Sequence, residues 1–366
     1  MKIIGVRWHK YVLPFSNQYV TGDGSSDKRR GLLVSVRFDN GLTGIGEASP
    51  VGVGSFEAIE RISTELSKVA PRLLSLNFDQ ALEIPLSPIL QFGVETALLD
   101  AEGKQQGKPL VELLGGIESS VPANALIASD SPDIAADEAK TFILQGFTSL
   151  KLKVGSGNLR QDEALVSAVR EVIGANVSLR IDPNQSWSLP QAVEAVNTLA
   201  KYGLEYVEQP VANTDPMAMV ELRRNTDTPI AADESVDSLG AALNMIANGA
   251  ADIIIIKAAR LGGLRNSLEV IHASRQAGIP AVVTSSLESG IGLTASVHLA
   301  ANANQNDFAH GLATGLLFPE DLLMEPMLPT KGFIDVPGNS GLGIQVDGNQ
   351  LNAYETGTIG SVGDWR

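Results

Sequence analysis

A chain of 366 residues is too long for one small domain and suggests two domains, or one large α/β barrel with an appendage. Its formal net charge of −15 argues against nonspecific binding to nucleic acid or to anionic lipid, because both need clustered lysine and arginine. The absence of cysteine excludes disulfides, thiolate metal sites and thiol nucleophiles.

The N-terminal stretch MKIIGVRWHKYVLPF has no apolar run of signal-peptide length, because Arg7, His9 and Lys10 interrupt it. The longest weakly charged run, AVVTSSLESGIGLTASVHLAANA, carries Glu288 and His298 and suits a strand, a loop and a helix better than a membrane span. We therefore expect a cytoplasmic protein without membrane insertion. Whether it is a monomer or a homodimer stays open at this point.

The first part of the chain, up to about residue 110, reads as strands followed by helices, which is an α+β pattern. The stretch GLLVSVRFDNGLTGIGEA (31–48) predicts a hairpin around Asp39-Asn40-Gly41. One helix is predicted to begin near Ser55. A second is predicted at Ser87-Pro88, where a cap residue precedes a proline at the first helical position.

The segment NQYVTGDGSSDKRRG (17–31), which leads into this hairpin, is rich in glycine, serine and charge and predicts a loop. Its position suggests a mobile lid that closes over the active site and excludes water. Its cationic Lys28, Arg29 and Arg30 would attract a dianionic substrate against the overall charge.

From Val121 onward, short apolar runs alternate with amphipathic helices. Continuous β-branched runs such as 253–256 are typical of parallel strands buried on both faces. Eight candidate strands within about 200 residues predict a TIM-type β/α barrel. They are VPANALI, SLKLKV, VSLRID, LEYVEQP, TPIAADES, ADIIIIKA, IPAVVTSS and DFAHGL. We expect an N-terminal capping domain at 1–115, the barrel at 116–320 and a C-terminal segment at 321–366 that returns to the capping domain.

Carboxylates stand at the ends of successive predicted strands, where barrel enzymes keep their chemistry. Asp182, Glu208 and Asp233 follow one another in steps of about 25 residues, roughly one β/α unit, so we expect them on adjacent strands at one mouth. Three carboxylates this close would repel one another unless a cation neutralised them. Hard oxygen ligands favour Mg²⁺, with Mn²⁺ as the alternative, and the lack of Cys and His ligands makes zinc less suitable.

Lysines flank these carboxylates. SLKLKV places Lys151 and Lys153 on one face of a strand, and ADIIIIKA reaches Lys257 at its end. Neighbouring ammonium groups lower each other's pKa, so Lys151 is predicted to make Lys153 a base near neutral pH. A carboxylate substrate on Mg²⁺ would lose its α-proton to Lys153, and Lys257 would face the resulting enediolate. The plainer alternative is that the lysine stems only cover the barrel rim.

These motifs resemble the muconate-lactonising-enzyme subgroup of the enolase superfamily: KLK on strand two, the three carboxylates on strands three to five, and KAARLGG after strand six. The resemblance covers nearly the whole chain. Within the subgroup, GIGEASP, FGVETALLD, VPANALI, SSLESGIGL and HGLATG are most similar to the o-succinylbenzoate synthase family. This implies a small dicarboxylate substrate and dehydration of 2-succinyl-6-hydroxy-2,4-cyclohexadiene-1-carboxylate to o-succinylbenzoate, on the route to menaquinone or phylloquinone.

The resemblance also implies a role for each candidate residue. Lys153 would abstract the α-proton and then protonate the departing hydroxyl, and Lys257 would stabilise the enediolate from the opposite face. The implied Mg²⁺ ligands are Asp182, Glu208 and Asp233; the implied supporting residues are Asn184, Glu234 and Arg180; and the implied substrate-binding residues are Ser285, Glu288 and Gly311.

Two rival functions remain. The same site could racemise an N-succinylamino acid or epimerise a dipeptide, because all these reactions share the enediolate. The eighth strand lacks the Asp-x-Asp with which the subgroup's dipeptide epimerases hold an amino group, which lowers that alternative. A catalytically silent barrel that serves as a binding protein is the other rival, and it predicts that part of the site would be missing.

Overall fold

A computed structural model describes residues 1–21, 24–52, 54–155, 157–303 and 308–365. The strands are β1 (Ile3–Thr21), β2 (Gly24–Phe38), β3 (Thr43–Ala48), β4 (Ser120–Pro122), β5 (Ala125–Ile127), β6 (Ser149–Lys153), β7 (Ser178–Asp182), β8 (Tyr206–Glu208), β9 (Ile230–Ala232), β10 (Ile253–Ile256), β11 (Ala281–Val283), β12 (Phe333–Asp335) and β13 (Gly360–Gly363).

The helices are α1 (Phe56–Leu73), α2 (Phe78–Leu82), α3 (Pro88–Gln106), α4 (Leu110–Leu113), α5 (Pro132–Leu144), α6 (Leu159–Ile173), α7 (Leu189–Leu199), α8 (Pro216–Arg224), α9 (Leu239–Ala247), α10 (Ala258–Leu261), α11 (Leu264–Gln276), α12 (Gly290–Ala303) and α13 (Gly348–Tyr354). Two short 3₁₀ turns span Ala200–Tyr202 and Ala313–Leu317. Within the described ranges, no helix has the length and apolar character needed to cross a membrane.

The capping domain is an antiparallel sheet of order β13-β1-β2-β3 packed on helices. Val34 and Val36 of β2 share a buried core with Leu66 of α1 and Val94 of α3. Both predicted helix starts are confirmed: the Ser55 hydroxyl accepts a hydrogen bond from the backbone N–H of residue 58, and α3 begins at the predicted proline. The C-terminal strand β13 pairs with β1, so the end of the chain returns to this domain.

The prediction of a loop over 17–31 is wrong. Strands β1 and β2 continue through this segment as one long hairpin, and their pairing extends to Thr21 opposite Gly24. The sequence hid the strands because residues 16–18, 25, 27 and 28 are solvent-exposed, so no apolar alternation appears there. Arg29 is fully buried and donates to the carbonyl oxygen of Gly52, so it is not a surface charge. Gly22 and Asp23, which the proposed lid includes, lie outside the described residues, and lid closure stays a prediction.

The second domain is the predicted parallel barrel. Its sheet has the order β11-β10-β9-β8-β7-β6-β5, and each neighbouring pair is parallel. The predicted first strand, VPANALI, is divided: β5 belongs to the barrel, whereas β4 pairs with β12. In place of an eighth strand, single parallel bridges at His310 and Gly311 join the two edges of the sheet, one to Ala123 and one to Thr284.

Two glycines let the capping helix α3 lie directly on strand β3. A Cβ on Gly44 would lie 1.8 Å from the carbonyl oxygen of Ala97, and a Cβ on Gly46 would lie 2.0 Å from that of Gly93. Backbone atoms cannot yield as a flexible side chain can. The GxG of the GIGEA motif is therefore explained by this close packing of a helix on a strand.

We predict that Gly44→Ala destabilises the protein by about 3 kcal/mol or more, because the added methyl group overpacks a backbone contact. Urea unfolding followed by circular dichroism measures the change. Gly240→Ala is the control, since a Cβ there meets nothing within 4 Å and the site lies in helix α9. Equal stability of the two variants would contradict the packing explanation.

Candidate active site

The predicted charged residues lie together at the carboxyl edge of the barrel sheet. Asp182 and Glu208 are the last residues of β7 and β8, and Asp233 and Lys257 directly follow β9 and β10. Lys153 pairs in register with Asp182 across β6 and β7. Adjacent parallel strands therefore bring all of these side chains to one mouth, as the spacing of the sequence predicted.

Both lysines of strand β6 contact the same carboxylate. The Nζ atoms of Lys151 and Lys153 lie 2.8 and 2.7 Å from Oδ2 of Asp182. Lys151 also donates to Oε1 of Glu208, and Lys153 donates to Oδ1 of Asn184. The shared face expected from the i, i+2 spacing is thus present, and its charges are paired with carboxylates.

Asp233, on the other side of the mouth, is held by two cations. Lys257 Nζ lies 2.5 Å from its Oδ2, and Arg260 Nη1 lies 2.8 Å from its Oδ1 and 2.8 Å from its carbonyl oxygen. Sequence reasoning missed Arg260. Its position in KAARLGG, one turn of α10 after Lys257, is the signal that could have found it.

The pKa of each aspartate follows from burial and from its partners. Burial favours the neutral form of Asp182, but the ammonium groups of Lys151 and Lys153 outweigh burial and hold its pKa well below the usual range. For Asp233, burial is likewise outweighed by Arg260 and Lys257, and its pKa is also lowered. Both aspartates are therefore charged at neutral pH.

Glu208 and Lys151 behave differently from this pair. Burial raises the pKa of Glu208 to about 7, because the charge of Lys151 offsets it only in part and the nearby aspartates add repulsion. Burial lowers the pKa of Lys151, but the charges of Asp182, Glu208 and Asp233 together raise it well above its ordinary value. The expectation that paired lysines depress the pKa of Lys151 is wrong, since its neighbours are mainly carboxylates. Its effect on Lys153 stays a prediction.

Asn184 and Glu234 are hydrogen-bonded to each other beside Asp182, and their role in supporting metal ligands stays a prediction. The backbone N–H of Asn184 donates to Oδ1 of Asp182 at 2.9 Å, and its Nδ2 donates to Oε1 of Glu234 at 3.1 Å. Asn184 has a φ of +44°, in the left-handed region. This backbone turn aims both of its amide groups at carboxylates.

Gln209 is a second residue that sequence reasoning missed. Its Oε1 accepts hydrogen bonds from the backbone N–H groups of Asp233 and Ser235, both at 3.0 Å. Its Nε2 donates to Ser235 Oγ at 2.8 Å. The side chain is fully buried and ties the end of β8 to the turn that carries Asp233. A glutamine directly after the strand-end Glu208 was the available signal.

Arg180 does not support Asp182, contrary to the sequence-based expectation. Its guanidinium donates to Glu205 Oε2 at 2.5 Å, to Asn124 Oδ1 at 3.1 Å and to the carbonyl oxygen of Ala309 at 2.6 Å. It points into the barrel, as Asp182 does, but two residues lower on the same strand. Arg180 therefore fills a buried layer beneath the mouth.

The three predicted substrate-binding residues lie on the loops after β11 and at the closing bridge. Ser285 Oγ donates to Oε2 of Glu288 at 2.6 Å, and the same oxygen accepts the backbone N–H of Ser286 at 2.7 Å. Burial raises the pKa of Glu288. Gly311 accommodates close contact, since a Cβ there would lie 2.6 Å from Thr284 Cγ2. Contact of these residues with a substrate stays a prediction.

The donor set suits a divalent metal ion, although it is not preassembled as one. In the described part of the chain, no three His, Asp or Glu side chains are arranged as a ready metal site. The carboxylates are paired with lysine and arginine instead. Oε2 of Glu208 and Oε2 of Glu234 are nevertheless buried without a hydrogen-bond partner among the described residues. Unsatisfied carboxylate oxygens beside two charged aspartates fit Mg²⁺, which prefers such hard ligands.

Fold and site together define an enzyme built as a capped β/α barrel with a carboxylate site at its mouth. Two family models match the chain: the mandelate racemase/muconate lactonizing enzyme N-terminal domain at residues 13–115, and the enolase C-terminal domain-like model at residues 135–350. The chain belongs to the enolase superfamily, in the mandelate racemase and muconate lactonizing enzyme group.

The chain is similar to enzymes that catalyse different reactions. It is 30% identical to an L-Ala-D/L-Glu epimerase of Bacillus subtilis, over 94% of this chain and 97% of that protein. It is 37% identical to an o-succinylbenzoate synthase of Thermobifida fusca, over 60% of this chain and 68% of that protein.

Solved structures agree with this membership. A muconate lactonizing enzyme of Pseudomonas fluorescens, complexed with muconolactone, has a TM-score of 0.92 at 30% identity and covers 97% of this chain and 99% of its own. A dipeptide epimerase of Enterococcus faecalis, complexed with Mg and L-Leu-L-Tyr, has a TM-score of 0.88 at 28% identity and covers 94% and 99%. The resemblance to the enolase superfamily and its muconate-lactonising-enzyme group is thus confirmed, whereas the likeness to the o-succinylbenzoate synthase family and the particular reaction are matters for proposal.

We predict that Arg260→Met lowers the free energy of unfolding by about 2 kcal/mol, because hydrogen bonds to a buried charged group are lost. Arg224→Met, on the exposed face of α8, is the control and should change stability by less than about 0.5 kcal/mol. Chemical denaturation of the metal-free protein measures both. If Arg260→Met and Arg224→Met have the same free energy of unfolding, Lys257 alone suffices to hold Asp233.

Proposed function

We propose that the protein is an o-succinylbenzoate synthase, a Mg²⁺-dependent dehydratase of 2-succinyl-6-hydroxy-2,4-cyclohexadiene-1-carboxylate. The observation that carries the reaction class is the placement of two lysines around the carboxylates. Lys153 stands on β6 and Lys257 follows β10, and the three strands between them carry Asp182, Glu208 and Asp233. A planar substrate over these carboxylates would have one ammonium group on each side.

Asp182, Glu208 and Asp233 would hold the Mg²⁺, which would supply positive charge that stabilises the substrate carboxylate as its α-proton leaves. Glu234 and Asn184 would keep these ligands oriented, since Asn184 already links Asp182 to Glu234.

Lys153 would carry the proton in this reaction. Its Nζ would take the proton from the ring carbon next to the carboxylate and then give it to the ring hydroxyl on the same face, so that the carbon–oxygen bond breaks and water leaves. The remaining electron pair completes the aromatic ring of o-succinylbenzoate. Lys257 would stay protonated and stabilise the negative charge from the opposite side.

The residues around the bridges at His310 and Gly311 favour a dehydration over reactions of substrates that carry an ammonium group. The segment HGLATG (310–315), which follows the last barrel position, offers no carboxylate to an ammonium group. Glu288, on the neighbouring loop, already accepts hydrogen bonds from Ser285 and Ser286. The similarity to the Thermobifida fusca synthase supports the same choice.

The second candidate is a racemase of N-succinylamino acids or a dipeptide epimerase. The similarity to the Bacillus subtilis epimerase extends over more of the chain than that to the synthase, which favours keeping this candidate. Lysines on both sides of a substrate also suit a proton transfer from one face to the other. An N-succinylamino acid has no free ammonium group and carries a second carboxylate on its succinyl group. Such a substrate would not need a carboxylate in the segment 310–315.

We predict that the purified protein with Mg²⁺ converts 2-succinyl-6-hydroxy-2,4-cyclohexadiene-1-carboxylate to o-succinylbenzoate, and that EDTA abolishes the conversion. Lys153→Ala should lower kcat by about 10³-fold, as expected for loss of a general acid and base. Lys140→Ala, an exposed lysine on α5, is the matched control and should leave kcat unchanged. Absorbance of the aromatic product and its mass identify the reaction.

The rival is tested in the same preparation with N-succinylamino acids in D₂O. Deuterium uptake at the α-carbon with loss of optical activity, without dehydration of the cyclohexadiene substrate, would replace the synthase by the racemase. A folded protein that binds Mg²⁺, does not dehydrate the cyclohexadiene substrate and exchanges no α-proton of N-succinylamino acids or of dipeptides would overturn both candidates. Lys257→Ala does not discriminate, because both reactions need that residue.

A further inference from the structure

Two motifs of the capping domain, GIGEASP and FGVETALLD, each contain a buried carboxylate that reaches the barrel and has no role in the proposed chemistry. These are Glu47 on strand β3 and Glu95 on helix α3. Glu47 is fully buried and Glu95 is 3% exposed. Buried carboxylates are costly unless they are bonded, so their partners show what they do.

Glu47 reaches out of the capping domain to the start of barrel helix α12. Its Oε2 accepts the Ser289 hydroxyl at 2.5 Å and the backbone N–H of Gly292 at 2.9 Å, and its Oε1 accepts the backbone N–H of Ser289 at 3.0 Å. Tyr11 and Ser49, from its own domain, donate to Oε1 as well. These donors to Glu47 are all neutral, in contrast to the cations around the barrel carboxylates.

Gly292 is fitted to this contact. A Cβ there would lie 2.7 Å from the Cβ and Cγ of Glu288 and 3.2 Å from Oε2 of Glu47. The first turn of α12 therefore packs between Glu47 of the capping domain and Glu288. The loop 285–289, which carries two of the proposed substrate-binding residues, ends at the residue that Glu47 holds.

Glu95 makes the equivalent contact one β/α unit earlier. Its Oε1 accepts the backbone N–H of Arg265 at 2.8 Å, in the first turn of α11. A Cβ on Gly263 would lie 2.5 Å from its Oε2, and Gly263 has a φ of +127°, which glycine tolerates. The segment that Glu95 holds follows directly on Lys257 and the short helix α10.

We infer that Glu47 and Glu95 are positioning residues, through which the capping domain fixes the two loops that follow strands β11 and β10. Each carboxylate binds N–H groups at the start of a barrel helix, where the helix dipole favours a negative charge. Glu47 thereby sets the place of Ser285 and Glu288, and Glu95 sets the place of Lys257. The capping domain is then part of the geometry of the site as well as its cover. The kinetic consequences rest on the proposed function.

The two carboxylates should have different kinetic effects. Glu47→Gln should raise KM about tenfold with little change in kcat, because it displaces loop 285–289, which is proposed to hold the substrate. Glu95→Gln should lower kcat about tenfold, because it displaces the segment that carries Lys257. Steady-state kinetics of both variants with Mg²⁺ measure the split.

Asp100→Asn is the matched control. Asp100 is a fully buried carboxylate of the same helix α3, and it bonds to Ile45 N–H, to Lys104 and to the backbone N–H of Leu342, all outside the two barrel loops. The Asp100→Asn variant should lose as much thermal stability as the Glu47→Gln and Glu95→Gln variants. Its kcat and KM should stay within about threefold of the wild-type values. Parallel losses of activity in all three variants, in proportion to Tm, would overturn the inference.

Hydrogen–deuterium exchange separates this inference from the proposed function. Glu47→Gln should speed exchange at 285–292, and Glu95→Gln should speed exchange at 258–266, with no crossover between the two segments. This readout needs no substrate, so it stands even if the synthase assay fails. Unchanged exchange in both segments, or equal increases across the whole domain, would show that neither glutamate positions a loop.

Discussion

The barrel mouth depends on keeping carboxylates charged where water is largely excluded. Asp182, Glu208 and Asp233 are at most 1% exposed, and an unpaired charge at such depth is strongly unfavourable. The surrounding cations therefore belong to the folded state as much as to the chemistry. Asp182 and Asp233 each have two cationic partners and have a lowered pKa, whereas Glu208 has Lys151 alone and has a pKa of about 7. Glu208 is thus the carboxylate whose charge is least compensated.

This balance limits how the site can work. In the structure, the ammonium group of Lys153 neutralises Asp182, and a protonated lysine cannot accept a proton from a substrate. Lys153 would act as a base only if the charge of Asp182 were balanced by something else. The oxygen donors that remain unsatisfied, on Glu208 and Glu234, show where a hard cation would find further ligands. Metal binding and availability of the base are therefore expected to be coupled through one carboxylate.

The sequence predicted those features that covalent geometry fixes and missed those that depend on tertiary partners. Alternation along a strand placed Lys151 and Lys153 on one face, and the repeat length of β/α units placed the three carboxylates at one mouth. The same alternation misled for Arg180: a residue two positions from Asp182 shares its face but lies about 6.6 Å lower along the strand, in another layer. Arg260 and Gln209 were not assigned, although each stands close to a predicted site residue in the sequence, because their bonds cross between neighbouring β/α units. The strand pairing within 17–31 escaped notice because it rests on backbone hydrogen bonds and leaves no apolar pattern in the sequence.

Four buried acids of this protein form two pairs, and their donors distinguish the pairs. Asp182 and Asp233 are bonded to side-chain cations, which can exchange for a metal ion or move with a substrate. Glu47 and Glu95 are bonded to backbone N–H groups at helix starts, which are fixed by the fold. From the sequence alone, Asp182 and Asp233 stand out by their place at strand ends, whereas Glu47 and Glu95 are simply acids within apolar motifs. Barrel glycines accompany the second kind: a Cβ on Gly292 would lie 3.2 Å from Oε2 of Glu47, and a Cβ on Gly263 would lie 2.5 Å from Oε2 of Glu95. In this protein, an acid that packs on a glycine of the other domain marks a contact between domains, whereas an acid at a strand end with lysines across the strand marks the proposed chemistry.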